Sequence, residues 1–224
     1  MLVGFTVGVF WASVFVARGF GRKVGYSLAP LGFSRPKGGL VVGACFGALV
    51  GVGAVVVSMF VNLASVLVFD RLGYSTERAI QAPFMRGLAG WVQESPGAAI
   101  PAIILVVVII GPAVEELVFR GAVFNGLYRL GGLISARIGE SKSVGGVIKK
   151  VSFAFSALAS SAFFAILHRE PVLLPALLIL AVILCTLFER TTSLLPPFVA
   201  HATFNLFTVS LIILGGLGAF ELPM

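Results

Sequence analysis

Between Lys37 and Asp70 the chain carries no charged residue, and Val, Leu, Ala, Gly and Phe dominate the run. An element that is apolar on every face cannot lie on the surface of a water-soluble fold. This one is long enough to cross the hydrocarbon of a bilayer, which takes about 20 helical residues. Comparable runs occur near 2–17, 98–128, 151–168, 172–189 and 194–220. Charged residues make up 11% of the 224, against about 25% in a soluble domain. The sequence therefore predicts an integral, multi-pass membrane protein. Its fold class is all-α, a transmembrane bundle of about six to eight helices, the upper figure allowing for breaks in the longest runs. Disorder, a coiled coil and a secreted disulfide scaffold are excluded by the same composition.

The first run is short, but no basic segment precedes it, and Arg18, Arg22 and Lys23 follow it directly, so it reads as an anchor helix. Arg18, Arg22, Lys23, Arg35 and Lys37 share the first loop without an acid, and the third loop sets Arg129, Arg137, Lys142, Lys149 and Lys150 against Glu140. Basic bias places both loops in the cytoplasm and both termini outside. The stretch 131–146, rich in Gly, Ser and charge, reads as a flexible loop. A net charge of +7 spread this thinly suits anionic lipid head groups rather than nucleic acid. Cys45 and Cys185 lie within apolar runs and read as inert packing.

Polar side chains inside such runs need a reason. Glu115 and Glu116 follow IPAIILVVVIIGPAV, with Arg120 four residues after Glu116. On a helix Glu116 and Arg120 share a face and can pair, while Glu115 points about 100° away towards another cavity. Gly111 and Pro112 can kink the helix just before them. His168 follows Phe164 by four residues, and Asn205 follows His201 by four. Any one of these is as well explained by a bond to a neighbouring helix; the whole set in one small bundle is not. A desolvated carboxylate serves as a general base, a histidine can share its water, and His201 with Asn205 can donate to an oxyanion. No nucleophile-elbow pattern is present, so attack by activated water on an amide or ester carbonyl is the economical chemistry. His, Glu and Asn can also ligate zinc, but the H-E-x-x-H helix is missing and Asn is an uncommon zinc ligand. The expectation is a site with no cofactor and no metal.

Glu115-Glu116-x-x-x-Arg120, Phe164-x-x-x-His168 and His201-x-x-x-Asn205, in this order, with FRG after the diacid and ERTTSLLPPFVAH before the last histidine, resemble the CPBP family of CAAX proteases and bacteriocin-processing enzymes, also called the Abi family. The resemblance covers about 98–214. It implies a glutamate-dependent intramembrane endopeptidase acting on a hydrophobic or membrane-delivered peptide. It makes Glu115 and His168 the water-activating pair, His201 and Asn205 the oxyanion donors, and Glu116, Arg120 and Phe164 their supports. On this reading 1–97 holds N-terminal transmembrane helices and loops, and 98–224 holds the catalytic bundle, in one membrane unit. The membrane is the plasma membrane if the source is prokaryotic. Two features depart from the family pattern: LILAVILCTLFERTTSL has no glycine, and 129–150 is longer than the usual link. The alternatives are a non-enzymatic immunity or scaffold protein keeping the fold, and a proton-coupled transporter using the same acids and histidines. Counted from residue 151, His168 is expected near the face opposite Glu115, unless a helix starts elsewhere or is broken.

Overall fold

Glycine and other small residues recur at Gly43, Gly47, Gly51, Ala54 and Ser58, all on one buried face of the first described helix, α1 (Leu40–Arg71). The computed structural model describes residues 29–74, 82–138 and 142–220; the predicted anchor helix over 2–17 lies outside them. The small-residue face lets two backbones approach, as helices in lipid do when they associate. A Cβ on Gly47 would meet the Pro196 carbonyl at 2.5 Å, and one on Gly51 the Ala200 carbonyl at 2.6 Å. Both carbonyls belong to the last helix, α6 (Leu195–Gly216). On the remaining faces Val41, Phe46, Leu49 and Phe60 are exposed, and in a membrane protein this surface faces lipid.

Between α1 and α6 lie α2 (Ala82–Glu94), α3 (residues 96–138), α4 (Lys142–Leu167) and α5 (Leu174–Thr191). Among the described residues all regular structure is helical. Five of the six helices, α2 excepted, are long and apolar enough to cross a membrane. The chain is thus an integral multi-pass membrane protein, and α1 and α6 run without a break. The sequence reading misses α2, whose Ala89 and Val92 pack on Gly216 near the end of α6. Its signal was present in the helical spacing of Phe84, Leu88 and Val92, below the hydropathy of a span.

The expected flexible loop over 131–146 is not found: α3 continues to Ile138 and α4 begins at Lys142. The two form a long antiparallel hairpin. Gly131 lies against Ser152, Phe124 against Phe153, and Phe119 against Phe164. The same register brings His168, at the end of α4, level with Glu115. This corrects the placement of His168 on the far face. Residue 151 is not the membrane entry of its helix, because it already lies deep in a hairpin whose arms both extend beyond the apolar runs.

α5 touches α1, α4, α6 and the second half of α3. Leu177, Ala181 and Cys185 are buried on its inner side. Alanine and cysteine thus provide the close approach that glycine would have supplied in a Gly-rich version of this helix. A short 3-10 turn, Ala29–Leu31, closes the end of the bundle. There Asn125 Nδ2 donates to the Pro30 carbonyl at 2.5 Å, and the Leu194 amide donates to the Gly32 carbonyl at 2.9 Å.

Candidate active site

Arg120 is completely buried and Glu116 is 1% exposed. Arg120 Nη1 donates to Glu116 Oε1 at 2.8 Å, the pairing expected from their spacing. A second donation, from Nη2, reaches the Ala181 carbonyl of α5 at 3.4 Å. The Phe164 ring of α4 lies 4.8 Å from the guanidinium, a favourable seat for a buried cation. The ion pair thus ties α3 to two neighbouring helices.

His201 stands over both acids. Its Nδ1 lies 2.8 Å from Glu116 Oε1, and its Nε2 lies 3.6 Å from Glu115 Oε2. Adjacent residues on a helix diverge by about 100°, and the imidazole fits between them because its two nitrogens point to opposite sides of the ring. A carboxylate paired with arginine only accepts, so the Nδ1 facing Glu116 carries the ring proton. Nε2 of the neutral ring is then an acceptor, turned towards Glu115. Glu115 itself remains 36% exposed.

His168 is fixed in the same sense. Its Nδ1 lies 2.8 Å from the Phe164 carbonyl one turn earlier, so Nδ1 donates and Nε2 is left to accept. Phe164 lies between the histidines, with ring centroids 4.6 Å from His168 and 5.8 Å from His201. The two imidazoles are therefore within about 10 Å of each other. Asn205 projects one turn beyond His201, and its Nδ2 donates to the Val107 carbonyl of α3 at 3.0 Å. Contacts thus join Glu115, Glu116, Arg120, Phe164, His168 and His201 where α3, α4 and α6 meet, while Asn205, one turn on, is bonded to Val107.

The winding of α3 around the diacid was not foreseen. Ile104–Ile110 and Leu117–Phe124 are π-helical, and Gly111–Glu116 between them is α-helical. Ser160 Oγ of α4 donates to the Phe119 carbonyl in the second π segment at 3.0 Å. Ser160 and Asn125 were passed over in the sequence, although a polar residue inside an apolar run is the same kind of signal that marked Asn205. Among the described residues no three His, Cys, Asp or Glu side chains are grouped so as to hold a metal ion.

Residues 97–207 match a family model described as type II CAAX prenyl endopeptidase Rce1-like. Among curated proteins the chain is similar to one of Bacillus subtilis (strain 168) named "Putative membrane peptidase YdiL", with 30% identity over 111 residues. That alignment covers 50% of this chain and 37% of the relative, so the chain spans well under half of that protein's length. No solved structure matches. The segment matched by the family model contains Glu115, Glu116, Arg120, Phe164, His168, His201 and Asn205, and the resemblance drawn from those motifs is borne out.

Proposed function

We propose that this chain, which belongs through residues 97–207 to the Rce1-like family of type II CAAX prenyl endopeptidases, is an intramembrane endopeptidase that hydrolyses a peptide bond of a hydrophobic or membrane-delivered peptide. The observation that carries the reading is the contact of Glu115, a part-exposed carboxylate, with Nε2 of a histidine whose Nδ1 is held by Glu116 and, through it, by Arg120. This follows the logic of a catalytic histidine oriented by a buried carboxylate, with water rather than a side chain as the nucleophile.

Glu115 takes a proton from a water that it shares with His168 Nε2, and the oxygen attacks the scissile carbonyl carbon. The carbonyl electrons move onto oxygen, giving an oxyanion. Glu115 hands the proton taken from water to Nε2 of His201, which it faces at 3.6 Å. With that proton on Nε2, His201 becomes a donor to the oxyanion, and the second N–H of Asn205 is available beside it. As the intermediate collapses, the proton passes to the leaving amine nitrogen and the C–N bond breaks. Glu116, Arg120 and Phe164 act by holding His201 in place.

Zinc does not suit this donor set. Glu116 Oε1 is taken by Arg120 and by His201 Nδ1, and a guanidinium close to the carboxylates opposes a dication. Turnover should therefore survive prolonged treatment with a membrane-permeant chelator. Loss on chelation that zinc alone restores would recast His168 and His201 as ligands. The direct test of function compares membrane peptides from wild-type cells and a Glu115→Gln strain. A fragment present only in the wild type is expected; identical peptide sets would favour a non-enzymatic scaffold.

A further inference from the structure

The turn of α3 that precedes the diacid has a defect built into it. Gly111 N–H donates to the carbonyl of Val106, five residues back. In the same register the next donation would run from residue 112 to Val107. Residue 112 is proline, which has no N–H. The Val107 carbonyl therefore lacks that donor within its own helix, and Asn205 Nδ2 of α6 supplies one at 3.0 Å. Since a carbonyl only accepts, this contact uses one of the two N–H groups of Asn205.

The winding of this turn decides where Glu115 points. A π turn accommodates one extra residue, so it rotates everything after it by about 100° relative to α winding. Glu115 lies three residues past Pro112, and its carboxylate reaches His201 at 3.6 Å. Had 104–110 wound as α-helix, Glu115 would leave that direction by about a quarter turn.

We propose that Pro112 is a positioning residue: it enforces the π register, the Asn205 carboxamide clamps the carbonyl that this register orphans, and together they aim Glu115 at His201. Its catalytic consequence rests on the endopeptidase reading; its structural core does not. Asn205 thereby has a role on α3 distinct from any donation to an oxyanion.

The experiment is a double-mutant cycle on the full chain in detergent, with Pro112→Ala, Asn205→Ala and the pair. Alanine restores an N–H at residue 112, so the turn can wind as α-helix with Gly111 N–H on the Val107 carbonyl and residue 112 on the Val108 carbonyl, and it removes a poor helix former. Pro112→Ala should thus leave the thermal midpoint unchanged or raise it. Asn205→Ala should lower the midpoint by about 2–4 °C in the wild-type background, as for the loss of one part-buried hydrogen bond, and by less than half of that when residue 112 is alanine. An equal loss in both backgrounds would overturn the clamp. If Asn205→Ala does not fold, Asn205→Asp, which keeps the shape but loses the amide donor, takes its place in the cycle. Activity is read with a fluorogenic peptide ending in a farnesylated CAAX sequence. Pro112→Ala should reduce kcat at least tenfold with KM within twofold; wild-type kcat would refute the aiming role. Failure of the unmodified protein to cleave this probe would count against the substrate class alone, because the thermal cycle decides the clamp without turnover.

Discussion

Glu115 and Glu116 are adjacent in sequence, yet they experience different surroundings. Glu116 is buried against Arg120 and His201, whereas Glu115 keeps one side open. Substitution should therefore separate stability from activity. Glu115→Gln preserves shape and leaves the buried Glu116–Arg120 pair intact, so the thermal midpoint should hold while turnover falls by roughly two orders of magnitude or more. Arg120→Met leaves the Glu116 carboxylate buried without its cation, which costs about 3–5 kcal/mol. The Arg120 variant should then unfold well below the wild type, measured by thermal denaturation in detergent. If Glu115→Gln unfolds and Arg120→Met does not, the roles given to the two acids are exchanged. The residue identities and the Glu116–Arg120 pairing were legible from helical spacing. The bridging position of His201 was not, because it depends on how α6 is rotated against α3.

Among whole elements, the seam between α1 and α6 is the most sensitive to side-chain size. Two glycines on the same helix provide an internal comparison. A Cβ at Gly51 would meet the Ala200 carbonyl at 2.6 Å, whereas one at Gly53 meets nothing within 4 Å. Gly51→Ala should force the helices apart and lower stability by about 1–3 kcal/mol. Gly53→Ala should be neutral or stabilising by up to about 1 kcal/mol, as expected for alanine over glycine in a helix. Thermal midpoints of the two variants check this, and equal effects would mean that the seam is not close-packed. The spans themselves were readable from apolar length alone. The ends were not: α3 outruns its apolar run by a Gly- and Ser-containing stretch that stays helical because α4 packs along it, with Ser152 filling the space beside Gly131. Apolar runs record where lipid begins and ends, and hydrogen-bonded backbone pays no attention to that boundary.

For the molecule as a whole, the basic residues define one end of the bundle. Arg35, Lys37, Lys150 and Arg190 are exposed, and the contacts of Pro30 with Asn125 and of Gly32 with Leu194 place the first loop beside the second half of α3 and the end of α5. Single cysteines at Lys37 and Lys150 should react with a membrane-impermeant maleimide only from the cytoplasmic side, and one at Glu94 only from the other. The reverse pattern would invert the topology, and with it the leaflet nearer to His201, which lies six residues, or about 9 Å, from the start of α6. That this chain is a helical membrane protein, and which family its second half resembles, was legible without coordinates. Those conclusions rest on composition and on order along the chain, and neither needs coordinates. It took the packed helices to bring His168 level with Glu115, to hold each histidine through its Nδ1 and to wind α3 as π-helix on either side of the diacid. Each depends on where one helix stands relative to another and on which carbonyl finds which donor, and these choices are settled by packing between segments far apart in the chain.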